Sequence, residues 1–243
     1  MLFFMTLDKP DFLPAHVNWQ ATEDNDSLVE QLCIKILCDL KESMLLKSRV
    51  SLALSGGRTP VGLFQRLSHK SFTWSNVDIT LVDERWVSRE HRDSNELLVR
   101  RHFIQNLAIK AKFIGMKNNA TTARIGQLTC NEALEEIVFP LDVVILGMGE
   151  DGHTASFFPC CNELVMAMDP QFSVNCLATM PTTAPYERMT LSYATLIRAK
   201  HRILYLVGVD KLATLEKAMF VSDPFKMPIY AFLRHPLSIF WSP

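Results

Sequence analysis

Four short runs, Val50–Leu54, Val77–Val82, Leu141–Leu146 and Ile203–Val207, are apolar over most of their length. A strand wetted on one face alternates polar and apolar residues. A strand apolar nearly throughout has to be covered on both faces. Stretches with helical periodicity lie between these runs. That alternation restricts the chain to an α/β fold, a largely parallel sheet with helices on both faces. At 243 residues, with no long linker, low-complexity tract or repeat, one domain spanning 1–243 is the simplest organisation.

The helical expectations follow from spacing. Leu28, Leu32, Ile36 and Leu40 recur every fourth residue, so 27–47 reads as an amphipathic helix, and Ser27 with Glu30 has a capping-box pattern. Pro60 suits a first helical turn, predicting a helix over 61–67. Ser94 or Asn95 can cap a helix reaching about Leu107. Further helices are expected over 131–139, 193–199 and 210–220. Short strands are expected over 113–116, 176–180 and 189–191, with 238–241 as a final edge strand.

Composition excludes several classes. Hydrophobic residues make up 48% and charged residues 21%, enough for a sizeable core. Lys plus Arg total 25 against 26 for Asp plus Glu, so no global basic field invites nucleic acid. The apolar segment 1–7 is too short to span a membrane and lacks a cationic leader, and no other apolar run is long enough. The six cysteines include no CxxC pair and read as reduced thiols. His69, His91, His102, His201 and His235 are scattered without metal-ligand spacing and read as structural or surface residues, so no metal is expected. The chain is expected in the cytoplasm, with no membrane or nucleic-acid partner; its oligomeric state is not legible.

Ligands of parallel sheets bind beyond the carboxyl ends of strands. Three polar clusters fall there. Ser55-Gly56-Gly57-Arg58-Thr59-Pro60 joins a strand to a helix start, where free N–H groups and the helix dipole favour an anion. It lacks the Walker A spacing, and it also reads as an ordinary tight turn. Asp83-Glu84-Arg85-Trp86 puts three charges after a buried strand. Arg85 is suited to grip a phosphate, and Asp83 to bind sugar hydroxyls or hold Arg85. A solvated strand end with a local ion pair is the plain alternative.

The third cluster is Gly147-Met148-Gly149-Glu150-Asp151-Gly152-His153-Thr154-Ala155-Ser156. Imidazole titrates near neutrality, so His153 can deprotonate a water, with Asp151 orienting it. The N–H groups near Gly149 and Gly152 are candidate oxyanion donors. Arg188 and Lys211 are candidate phosphate contacts, although each alone also reads as a surface charge. Ser55 is not in a Gly-x-Ser-x-Gly elbow, which argues against a serine hydrolase.

These segments, with Ser94-Asn95 and Arg188-Met189-Thr190-Leu191, occur in an order that closely resembles the 6-phosphogluconolactonases, over nearly the whole chain. The resemblance implies a modified Rossmann-like fold shared with sugar-phosphate isomerases and deaminases. It implies hydrolysis of a sugar-phosphate lactone without a metal or organic cofactor, His153 as general base and Asp151 as its partner. It also implies a phosphate held by the 55–59 loop, Arg85 and Lys211. Arg58 stands where the family often has Ser, and Thr183 to Glu187 replaces a common Lys-Pro-Pro stretch. The glucosamine-6-phosphate deaminases share the Gly-Asp-Gly-His core. They typically carry Asp-Glu-Tyr at the second cluster and Ile-Ala-Phe-Asn-Glu after the His, and both differ here. A non-catalytic sugar-phosphate sensor on the same fold is a further alternative, against which the intact Asp151 and His153 argue.

Overall fold

The computed structural model describes residues 7–243; the apolar stretch 1–6 lies outside the described residues. The strands are β1 (Val17–Ala21), β2 (Val50–Leu54), β3 (Val77–Leu81), β4 (Asp83–Arg85), β5 (Lys112–Phe113), β6 (Val143–Leu146), β7 (Cys176–Thr179), β8 (Arg188–Leu191), β9 (His201–Val207) and β10 (Leu237–Ser242). The helices are α1 (Asn25–Met44), α2 (Val61–Ser68), α3 (Asn95–His102), α4 (Ala123–Leu134), α5 (Leu164–Ala167), α6 (Tyr193–Ile197), α7 (Val209–Val221) and α8 (Ile229–Leu233).

Seven strands form one sheet, β1-β10-β9-β6-β2-β3-β5, in which every neighbouring pair is parallel. Strands β2, β3 and β6 are buried at every position, as their apolar sequences require. Helix α1 lays its Leu28, Leu32, Ile36 and Leu40 stripe on the sheet, each residue fully buried. From β2 the chain moves outward through β3 to β5, then returns to β6 on the other side of β2. Strand order therefore reverses between β2 and β6, which opens a crevice at their carboxyl ends.

Several expectations are corrected. Helix α1 starts two residues earlier than Ser27. Asp24 is the cap and accepts hydrogen bonds from the Ser27 N–H and hydroxyl at 2.7 and 2.8 Å, so Ser27 is a donor here. The helix expected over 131–139 is instead α4, capped by Thr122. Its buried face is made of Ala123, Gly126, Cys130 and Leu134, while Ile125 and Leu128 point to solvent. Large apolar residues on the wet face disguise its periodicity. Helix α3 stops at His102; Gln105 is extended and Asn106 takes a left-handed φ of 51°, so the chain continues as a 3-10 turn rather than as helix to Leu107.

Strand β10 is interior, because β1 covers it as the edge strand. The sequence hides β1, whose buried positions merely alternate. A second sheet, β4-β8-β7, is antiparallel and unforeseen: the charged cluster 83–85 is a strand, paired with β8. All six cysteines are unpaired. Among the described residues, no helix is long and apolar enough to cross a membrane.

Candidate active site

The loops after β2 and β6 meet at the crevice. Ser55 N donates to Ile145 O at 3.0 Å, and Gly147 N donates to Ser55 Oγ at 3.3 Å. A cavity of about 240 Å³ opens there. Its walls include Ser55, Gly56, Gly57, Thr59, Asp83, Arg85, Asn95, Gly149, His153 and Lys211. The fold thus gathers nine of the candidate catalytic and binding residues into one cavity, with Asn95 beside them. Arg58 is exposed and does not line it, and neither Asp151 nor Arg188 lines it.

His153 Nδ1 lies 2.5 Å from Asp151 Oδ1, which also accepts the His153 N–H at 3.1 Å. The two-residue spacing makes this possible because Gly152 between them takes a φ of +74°. Gly149 leaves room for the pair: a Cβ there would come within 2.1 Å of the imidazole. Burial pushes the Asp151 carboxyl up, but its hydrogen bonds and charge contact with His153 outweigh that and hold it below the ordinary carboxylate value. The Phe158 ring stacks on the imidazole, with centroids 4.1 Å apart and planes 25° apart, and fixes the ring from its face. One expectation is narrowed. Gly149 N donates to His153 O at 2.9 Å and Gly152 N to Gly149 O at 3.1 Å, so both N–H groups close the loop and neither is free for an oxyanion.

Another part of the wall is a run of donors. Among the described residues, the N–H groups of Gly56, Gly57, Arg58 and Thr59 donate to no protein acceptor. Gly57 has a φ of +93°, which turns the chain so that these groups precede α2. Such a concavity of N–H groups before a helix attracts anions. Lys211, near the start of α7, adds a cation. Gly56 packs tightly against Asn95, whose side chain would lie 1.8 Å from an added Cβ.

The antiparallel sheet supplies the remaining charges. Asp83 is buried, and its Oδ2 accepts the Ser156 hydroxyl at 2.6 Å, so Ser156 holds Asp83 rather than Arg85 doing so. Arg85 Nη1 donates to Asp93 O at 2.7 Å while its Nε has no partner. Arg188 stands opposite Arg85 in register, buried, its Nε likewise without a partner. Burial lowers the Arg188 pKa; Asp83 opposes the shift and Arg85 adds to it. Two cations with unspent donors on adjacent strands suit an anionic ligand.

Glu84 is fully buried and accepts from Arg85 N (2.7 Å), Asn95 N (2.8 Å), Glu96 N (2.7 Å) and Ser94 Oγ (3.1 Å). Burial pushes its carboxyl up to about 7 against these four donors. It joins β4 to the start of α3 and so sets the positions of Asp83, Arg85 and Asn95. Sequence reasoning missed this role, and it treated Asn95 only as a cap or motif residue. Asn95 Nδ2 in fact donates to Asp83 O at 2.9 Å and faces the cavity. The signal was its place beside the capping Ser94, one residue into a helix that starts next to a strand end.

Comparison with known proteins identifies the family. Residues 23–241 match the family model described as glucosamine-6-phosphate isomerases/6-phosphogluconolactonase. The chain is 41% identical to a 6-phosphogluconolactonase of Pseudomonas aeruginosa over 95% of this chain and 97% of that protein. It is 37% identical to one of Pseudomonas putida, covering 95% of each. Among solved structures, a 6-phosphogluconolactonase of Shewanella baltica superposes with a TM-score of 0.91 at 44% identity, covering 95% of this chain and all of that one.

Proposed function

The chain belongs to the glucosamine-6-phosphate isomerase and 6-phosphogluconolactonase family, and from that membership we propose that it hydrolyses 6-phosphoglucono-1,5-lactone to 6-phosphogluconate, with His153 as general base. The observation that carries the mechanism is the juxtaposition in one cavity of the Asp151-oriented His153 and an anion cradle. The cradle suits the 6-phosphate. Gly56, Gly57 and Thr59 offer N–H donors, and Lys211 and Arg85 offer charge. Asp83 and Asn95 face the sugar between the two ends.

The hydrogen bond to Asp151 keeps a proton on His153 Nδ1 and leaves the Nε2 lone pair free. Nε2 takes a proton from water as its oxygen attacks the lactone carbonyl carbon. The resulting tetrahedral oxyanion collapses, and the bond to the ring oxygen breaks. The imidazolium returns the proton to that oxygen, and Asp151 offsets its transient charge. One water is consumed, and the open-chain carboxylic acid releases a proton to solvent to become the carboxylate.

The direct test offers the purified protein 6-phosphogluconolactone and glucosamine-6-phosphate separately. Lactone hydrolysis above the spontaneous rate, without ammonia release, is the expected result. Ammonia release without lactone hydrolysis overturns the reading. Arg85→Ala removes a charge-assisted grip worth about 1.5–3 kcal/mol, so KM should rise roughly 10- to 100-fold with kcat nearly unchanged. A loss confined to kcat contradicts a role in phosphate holding.

A further inference from the structure

At the opposite end of β9 from the cavity, three side chains with metal-binding atoms converge. Asp39 and Glu42 lie three apart near the end of α1, and His201 is the first residue of β9. One donor atom from each lies within 4.8 Å of the others. Tyr205 to Val207 of the same strand line the cavity, so the cluster is roughly 13–20 Å away at about 3.3 Å per residue. Topology alone brings His201 to this place, which explains why no ligand spacing marks it in the sequence.

We propose that Asp39, Glu42 and His201 bind a divalent transition metal of the Zn²⁺ class, which clasps the end of α1 to the start of β9. Two atoms of the cluster are buried without any hydrogen-bond partner: Asp39 Oδ2 and His201 Nε2. Asp39 is 3% exposed, and an unpartnered carboxylate oxygen at that depth is costly. Its other oxygen is held by Lys35 at 2.5 Å, and Lys200 holds Glu42 Oε1 at 2.9 Å. Lys200 leaves Glu42 Oε2 toward the imidazole, while Lys35 competes for Oδ1, the Asp39 oxygen nearer the ring.

The ring is oriented for ligation. His201 Nδ1 lies 3.5 Å from Asp39 Oδ1, about the separation of two donors that share one Zn²⁺, and Nε2 lies 4.0 Å from Glu42 Oε2. Two carboxylate oxygens and one imidazole nitrogen suit Zn²⁺ with bonds of about 2.0–2.2 Å, a water completing the tetrahedron. Glu42 is exposed and closes the remaining gap by side-chain rotation. The negative end of α1 adds attraction for a cation. The two lysines oppose it, which sets the expected affinity on the order of micromolar rather than tighter.

The experiment is a calorimetric titration of the metal-stripped full chain with Zn²⁺, repeated with Co²⁺ while visible absorption is followed. One site is expected, with a Tm rise of roughly 5 °C at about 100-fold excess over Kd. His201→Gln and Glu42→Gln, both at partly or fully exposed positions, should each weaken binding at least about tenfold. Lys200→Ala should tighten it several-fold by removing a competing charge. His153→Ala should leave it intact. Three results overturn the proposal: a flat titration at millimolar Zn²⁺, as a water bridging the two atoms would produce; binding retained by His201→Gln; or binding lost in His153→Ala, which assigns the metal to the cavity instead.

Discussion

Replacing His153 by alanine is expected to lower kcat by a factor on the order of 10²–10⁴, the usual contribution of a positioned general base. Affinity for 6-phosphogluconate should change little. The proposed phosphate cradle, formed by the Gly56, Gly57 and Thr59 N–H groups with Lys211 and Arg85, makes no hydrogen bond to the His153 side chain and is untouched by the substitution. The measurement is lactone hydrolysis at controlled pH with the spontaneous rate subtracted, together with product binding by calorimetry. Asp151→Asn keeps the shape of the loop but places an amide against Nδ1, so the imidazole loses its tautomer control and the support for its transient charge. It should reduce kcat less than His153→Ala and leave KM nearly unaltered. Unchanged turnover in His153→Ala refutes the general-base assignment, whatever the fate of the substrate assignment.

The parallel sheet was legible because β2, β3, β6 and β9 need cover on both faces, and that need is written as mostly uniform apolarity. Site loops were legible for the same reason: strand ends were clear, so the polar clusters after them stood out. Elements whose stability comes from partners rather than pattern were not. Strand β4 consists of Asp83, Glu84 and Arg85, which no propensity argument makes a strand. It forms because β8 pairs with it and Glu84 finds four donors. Helix α4 buries small residues and exposes Ile125 and Leu128, which reverses the usual signal. Within the site, the N–H groups of Gly149 and Gly152 themselves are not available as donors. The value of the two glycines lies in close approach to His153 and in a positive φ, while their N–H groups are spent on the loop itself. A sequence shows where backbone freedom is needed but not which N–H groups remain unpaired.

Glu84→Ala is expected to destabilise the protein by about 3–5 kcal/mol and to abolish most activity. The carboxylate is fully buried, and its removal leaves the N–H groups of Arg85, Asn95 and Glu96 and the Ser94 hydroxyl without their acceptor. Each orphaned donor costs on the order of 1–3 kcal/mol, less where water enters the vacated space. Activity falls because β4 and the start of α3 carry Asp83, Arg85 and Asn95 into the cavity. Chemical denaturation gives the first quantity and the lactone assay the second; a variant of near-native stability refutes the assigned role. Glu84→Gln separates charge from shape. Burial raises the carboxyl from an ordinary 4.5 to about 7, so between those values the folded protein binds a proton that the unfolded chain releases. The contribution of the group to stability is thus complete below about pH 4.5 and is lost as pH rises toward 7, an effect of up to about 3 kcal/mol. Glutamine does not titrate. The stability difference between the native protein and Glu84→Gln should therefore be largest near pH 5 and shrink toward pH 8. A difference that grows with pH means that the four donors outweigh burial and that the fold prefers the ionised carboxylate.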